Sequence, residues 1–168
     1  MSAVQPGSRS WNGRPSGRSE GPDDGGEVGF VSALWMALMR AMDDTPCAGL
    51  RFVVVESLFS MDGDCAPLRE YARACRERGA VLIVDEAHAV GVYGERGTGL
   101  IEEFGIGDDV RVSINTAGKA LGVGGAFVAG PAPVIEYLVQ RARPFVFSTA
   151  APPAMAWAIS ASSPVCTD

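Results

Sequence analysis

The sequence has almost no amines or imidazoles. Its 168 residues include one lysine, Lys119, and one histidine, His88, whereas the other 13 basic residues are all arginines. An arginine keeps its proton at any physiological pH, so it cannot act as an amine nucleophile. A reaction that needs a side-chain amine therefore has one candidate in this chain, Lys119.

Net positive charge is also lacking. The formal charge is −6 at pH 7 and the isoelectric point is about 4.8. Nucleic acids and anionic membranes are recognised by basic patches, and we expect neither partner here. The longest apolar stretch near the amino terminus, residues 30–42, contains Arg40 and is too short to span a bilayer. We therefore expect a cytoplasmic protein.

Closely spaced cysteine pairs are missing as well. The four cysteines are Cys47, Cys65, Cys75 and Cys166. No two of them have the C-x-x-C spacing of a metal site, and no secretory leader is recognisable. We expect reduced cytosolic thiols, with neither a disulfide nor a metal site.

The composition divides the chain into three parts. Residues 1–28 are rich in Gly, Ser, Pro, Arg and Asp, and such a segment buries too little apolar surface to offset its ordering entropy. We predict a disordered leader there, a folded domain over 29–155 and an irregular tail over 156–168. Over the whole chain, 47% hydrophobic and 20% charged residues are values typical of a globular protein.

Hydrophobic periodicity predicts an α/β fold. Helices are predicted over residues 29–43, 67–78 and 133–141, and strands over 51–56, 81–85, 110–115 and 126–129. Strands that are apolar on both faces and alternate with amphipathic helices indicate a mostly parallel sheet with helices on both faces. Ligands of such sheets bind at the carboxyl ends of the strands.

The second strand runs directly into Asp85, Glu86 and His88. One interpretation is the acidic box of an ATPase, but no phosphate-binding loop precedes it. Another is an aspartate that anchors a cofactor, with a histidine just beyond it. The plainer alternative is a strand cap whose carboxylate accepts backbone N–H bonds.

The third strand runs into a glycine-rich turn, residues 116–125, that carries Lys119 between small neighbours. Small residues leave room for a bulky ligand beside the backbone. In a partly dry site the pKa of a lysine falls and its amine becomes nucleophilic. The plainer alternative is a solvated lysine in a loop.

Two further segments carry hydroxyl groups that could contact a ligand. Residues 56–64 follow the first strand and contain Ser60, and residues 143–153 contain the neighbours Ser148 and Thr149. Each also fits an ordinary loop, one leading into a helix and the other a serine/threonine turn.

Together, in order and spacing, these four segments resemble the α-oxoamine synthases, pyridoxal-phosphate enzymes that condense an amino acid with an acyl-CoA and release carbon dioxide. The resemblance covers roughly residues 50–155. It implies a partial large domain of the aspartate-aminotransferase type (fold type I) and a homodimer with sites at its interface. Residues 143–153 resemble most the biotin-pathway branch, with the glycine C-acetyltransferase branch as an alternative.

The resemblance also implies a role for each candidate residue. Lys119 would form a Schiff base with pyridoxal 5'-phosphate and later move the substrate's proton. Asp85 would pair with the pyridinium nitrogen, which keeps the ring an electron sink. The remaining implied contacts are His88 and Ser60 at the ring hydroxyl, Thr116 at the phosphate, and Thr149 at the phosphate of a partner subunit.

The chain departs from the family pattern at both ends. The family's phosphate-binding glycine segment and ring-stacking histidine lie upstream of the matched part, and residues 1–49 contain no histidine. The small carboxy-terminal domain would lie beyond residue 168. The prediction is therefore the central part of such an enzyme, and the alternative is a non-catalytic remnant of one.

Overall fold

The structure is a computed structural model that describes the backbone of residues 30–162. The leader predicted over 1–28 lies outside these residues. In chain order the elements are α1 (Phe30–Asp44), β1 (Arg51–Glu56), α2 (Leu68–Arg78), β2 (Ala80–Asp85), α3 (Leu100–Phe104), a 3-10 turn (Gly107–Asp109), β3 (Val110–Thr116), β4 (Ala126–Ala129), α4 (Ala132–Arg141), α5 (Arg143–Val146) and α6 (Pro153–Ser162).

The four strands form one sheet in the order β1-β2-β3-β4. The first three are parallel, with Glu56 opposite Asp85 and Asp85 opposite Ile114. β4 runs antiparallel to β3, since the short connection over residues 117–125 leaves no room for the crossover that a parallel neighbour needs. The predicted mostly parallel sheet is confirmed, and the carboxyl ends of β1, β2 and β3 lie along one edge.

A hydrophobic core fills one face of this sheet. Its buried residues include Val53, Val55, Leu82 and Val84 from the strands, Leu68, Tyr71 and Cys75 from α2, and Met42 from α1. α2 turns this apolar side inward and keeps its arginines outside. The helix ends at Gly79, whose φ of 63° lets its N–H reach the carbonyls of Arg76 and Cys75, as in a glycine C-cap.

The opposite face is open at β1. The side chains of Phe52 and Val54 point to that face and are 59% and 65% exposed. Within residues 30–162, no helix covers β1 on this side. The second helical layer that the apolar strands predict is therefore not formed here by the described part of the chain.

Three helices were not anticipated from the sequence: α3, α5 and α6. The structure differs here from the predicted irregular tail over 156–168, of which residues 156–162 belong to α6 and the rest lie outside the described range. Residues 153–162 are rich in alanine, which favours a helix without any amphipathic pattern. Proline at the first position supports the same conformation.

No helix in the described range has the length and apolar character that a membrane crossing requires. Within the same residues, no group of His, Cys, Asp and Glu side chains is arranged to hold a metal ion.

Candidate active site

The carboxyl ends of β2 and β3 bring four of the predicted site residues together. The amine Nζ of Lys119 lies 2.8 Å from Nε2 of His88, although the two residues are far apart in sequence. The Thr116 hydroxyl, at the end of β3, donates to the carbonyl of Ala87 across 3.4 Å. Asp85 ends β2 beside them. The convergence follows from the parallel order of the two strands.

Asp85 is fixed by a local hydrogen bond. One of its oxygens, Oδ1, accepts from the backbone N–H of Ala87 at 2.8 Å. This is the contact expected of a strand cap, and it accounts for one carboxylate oxygen. The other oxygen has no hydrogen bond from the residues that the structure describes, so Asp85 keeps an acceptor for a ligand.

The turn that carries Lys119 is closed by its own backbone. Ala117 donates to Gly125 at 2.9 Å, and Val123 donates to Ala117 at the same distance. Lys119 stands exposed on this turn, and no carboxylate between residues 31 and 162 lies within ion-pair distance of its amine. The only hydrogen-bond partner that this amine has in this range is the imidazole of His88, so a carbonyl compound that binds at this edge of the sheet can reach the amine.

The two turns after β2 and β3 also pack against each other. Gly91 has a φ of +80°, and a Cβ placed there would lie 2.7 Å from Cβ of Ala120. Only glycine allows both this backbone conformation and this approach. The close packing holds the turn of His88 against the turn of Lys119.

Ser60 and Thr149 are not drawn into this cluster by residues 30–162. Ser60 is exposed in a turn that is closed by a 2.9 Å bond from the N–H of Phe59 to the carbonyl of Asp64. Thr149 is exposed just after α5. Neither hydroxyl hydrogen-bonds with Lys119, His88 or Asp85 in the described structure, so their predicted roles remain predictions.

Sequence reasoning missed one polar group beside the site. Glu86 is completely buried, and one of its oxygens accepts from the Ser57 hydroxyl at 2.7 Å. Burial raises the pKa of Glu86, while the Ser57 hydroxyl and the amides of Ile101 and Leu100 oppose that rise. The signal was present in the strand: Leu82 and Val84 face the core, so period-two alternation also points residue 86 inward.

Comparison with known proteins gives the family. Residues 32–165 match the aminotransferase class I and II family. The chain is 57% identical over 119 residues to an 8-amino-7-oxononanoate synthase of Anaeromyxobacter sp. (strain K), covering 70% of this chain and 30% of the relative. It is 53% identical over 131 residues to the Methylococcus capsulatus protein of the same name, covering 77% and 33%.

Solved structures show the same relationship. A serine palmitoyltransferase of Sphingomonas wittichii superposes with a TM-score of 0.70 at 36% identity, over 74% of this chain and 31% of its own. An 8-amino-7-oxononanoate synthase of Francisella tularensis superposes with a TM-score of 0.60 at 34% identity, over 74% and 36%. A structure of SPT with a PLP internal aldimine superposes with a TM-score of 0.70 at 32% identity, over 74% of this chain and 31% of its own.

The chain thus spans about a third of the length of the relatives it matches. The part it spans contains the sheet and the cluster around Lys119. The match to the family extends over most of the sequence, and the solved relatives share its fold. The chain belongs to the aminotransferase class I and II family.

Proposed function

We propose that this chain is the central part of a pyridoxal-phosphate-dependent acyltransferase of the 8-amino-7-oxononanoate synthase type. The reaction would condense an amino acid with an acyl-CoA, with loss of carbon dioxide. One observation carries the proposal: the chain's only lysine lies 2.8 Å from its only histidine, beside Asp85 at the carboxyl edge of the sheet. The relatives named for this activity share 57% and 53% identity with the chain.

The residues present fit this cofactor. Pyridoxal phosphate supplies an aldehyde and a ring that, while its nitrogen is protonated, stabilises negative charge on a bound amino acid. Lys119 offers an exposed amine with no carboxylate partner in residues 31–162, suited to binding an aldehyde. Asp85 offers the carboxylate that would hold a proton on a ring nitrogen.

The remaining predicted residues would position the ligand. His88 would contact the ring hydroxyl and, at 2.8 Å from Lys119, also accept or return the lysine's proton. Ser60 would approach the same side of the ring, and Thr116 would bind the phosphate. Thr149 would reach the phosphate of a second subunit, which implies a homodimer.

The substrates follow from the relatives. The proposed pair is L-alanine and a pimeloyl thioester, because several relatives are named 8-amino-7-oxononanoate synthase. Within the proposed site, Lys119 has two proton tasks. As a free amine it accepts the α-proton of the amino acid, and as an ammonium it returns a proton after carbon dioxide leaves.

The test uses the scarcity of amines. Purified protein is mixed with pyridoxal phosphate, its visible spectrum is recorded, and the adduct is reduced with borohydride and located by peptide mass spectrometry. We expect a visible band and a label on Lys119, because the only other amine is the amino terminus.

Two variants give the test its controls. Lys119→Ala should abolish the band, whereas Arg111→Ala, which removes an exposed cation near the other end of β3, should retain it. Absence of the band in the unaltered protein would overturn the proposal and favour a non-catalytic chain.

A further inference from the structure

The buried carboxylate of Glu86 joins three elements at the edge of the sheet. Oε2 accepts from the Ser57 hydroxyl at 2.7 Å, just past β1, and from the N–H of Leu100 at 3.1 Å. Oε1 accepts from the N–H of Ile101 at 2.7 Å, in the first turn of α3. One side chain that extends from the end of β2 thereby holds the end of β1 and the start of α3.

The backbone of Glu86 holds the turn that carries His88. Its N–H donates to the carbonyl of Ile114 on β3 at 2.8 Å, and its carbonyl accepts from Ala89 and Val90, both at 2.9 Å. The main chain of Glu86 therefore holds the turn of His88, while its side chain holds the start of α3. A rotation of residue 86 would move both.

The surroundings of this carboxylate leave little room for rearrangement. A Cβ placed on Gly99 would lie 2.6 Å from Oε2 of Glu86, and Gly99 has a φ of +114°. Within residues 31–162, no cation forms an ion pair with Glu86. Hydrogen-bond donors that replace the lost water stabilise a buried carboxylate that has no cation beside it. The three donors from Ser57, Leu100 and Ile101 do this for Glu86.

We infer that Glu86 is a positioning residue, which fixes the orientation of Asp85 and His88 by tying the ends of β1 and β2 to α3. This inference deepens the proposed function, since it takes Asp85 and His88 as groups that contact the cofactor. Glu86 itself contacts no ligand in this assignment, because its side chain points into the core, away from the face of Asp85.

The test compares Glu86→Gln with Glu95→Gln. Glutamine has the same shape, but its NH₂ group is a donor. In either orientation it would face a backbone N–H, that of Leu100 or that of Ile101, and one hydrogen bond of the carboxylate would be lost. Glu95 is exposed on the loop before α3 and undergoes the same chemical change. The chain's single histidine gives one NMR signal from its Cε1–H, which needs no assignment to a residue, and this signal is followed in the cofactor-free protein over a pH titration.

In folded Glu86→Gln, we expect the His88 signal and the midpoint of its pH titration to shift. In Glu95→Gln, we expect both to match the unaltered chain. A second readout is the dissociation constant of pyridoxal phosphate. We expect a rise of about tenfold, as for the loss of one hydrogen bond to a charged group.

An unchanged His88 signal in folded Glu86→Gln would overturn the inference. If that variant does not fold, Ser57→Ala replaces it, because this change removes one donor and keeps the carboxylate. It should shift the His88 signal less, and no shift would again overturn the inference. The NMR measurement needs no cofactor. A failure of this inference is therefore distinguishable from a failure of the proposed function, which would show as a missing visible band.

Discussion

Two regions of this molecule differ sharply in how they bury their apolar residues. The core region, residues 51–106, contains many side chains of at most 1% exposure, among them Leu68, Tyr71, Leu82 and Leu100. The carboxy-terminal helices α4 to α6, residues 132–162, contain no buried residue. Several large apolar side chains of residues 132–162 are exposed, among them Phe147 at 78% and Trp157 at 75%.

The difference shows which parts of the fold the described chain can stabilise alone. In the core region, the strands and α2 bury each other's apolar side chains, so the contacts within this region are enough to stabilise it. In α4 to α6, helix propensity sets the local conformation, but side chains such as Phe147 and Trp157 stay exposed within residues 30–162. A surface of this kind is typical of one that contacts more protein, and the chain spans about a third of the length of its relatives.

Truncation of one aromatic residue in each region should give the largest contrast. We expect Tyr71→Ala to lower the free energy of unfolding by about 3–5 kcal/mol, because a fully buried aromatic leaves a cavity. Tyr71 also stacks on Trp35, with ring centroids 5.3 Å apart. Trp157→Ala should change the free energy by about 0.5 kcal/mol or less, as exposed positions do.

The measurement is urea unfolding of the two variants and the unaltered chain under identical conditions. A loss at Trp157 as large as that at Tyr71 would contradict the contrast, since it would mean that the exposed helices are packed in solution. Repeating the series at several protein concentrations separates self-association from intramolecular packing, because only the former depends on concentration.

A smaller effect is expected where the two turns of the candidate site meet. Gly91→Ala places a Cβ 2.7 Å from Cβ of Ala120 and imposes a φ of +80° on alanine. Gly105→Ala is the matched control, because its φ is +63° and nothing lies within 4 Å of the added Cβ. Both variants carry the left-handed strain, about 1–2 kcal/mol.

The clash itself should make Gly91→Ala less stable than Gly105→Ala by about 1–3 kcal/mol, the usual cost of overpacking. Unfolding in urea measures this difference. The Gly91 variant should also change the rate at which an acylating reagent modifies Lys119, the only lysine, whereas the Gly105 variant should not. Equal stabilities and equal rates would show that the two turns are not in contact.

The sequence predicted the parts of this structure that rest on periodic patterns. The strands were found because their apolar runs are short and bounded by polar residues, and α2 because Gly79 ends an amphipathic repeat. The meeting of Asp85, His88 and Lys119 followed from parallel order alone, since the carboxyl ends of parallel strands share an edge.

Elements without a period were not predictable in this way. α3 has five residues, too few for a helical repeat to show. Its position depends on the long-range bonds from Leu100 and Ile101 to Glu86, which no local pattern contains. The predicted roles of Ser60 and Thr149 concern a bound cofactor and a second subunit, so the contacts of one chain do not test them.

The smallest expected effect lies on the surface of the core region, at Glu102. Its carboxylate accepts from the Thr98 hydroxyl and from Arg96, and these bonds lower its pKa from 4.5 to about 2. Because the folded pKa lies below the unfolded one, the carboxylate stabilises the fold above pH 4.5, and this contribution is lost as the pH falls through about 2.

Glu102→Gln should therefore melt at a lower temperature than the unaltered chain at neutral pH, and this difference in melting temperature should disappear on acidification. Glu95→Gln, on the exposed loop before α3, is the control and should melt at the same temperature as the unaltered chain. A difference in melting temperature that stays constant with pH would contradict this, because it would mean that Glu102→Gln destabilises the core region through lost packing rather than through lost charge.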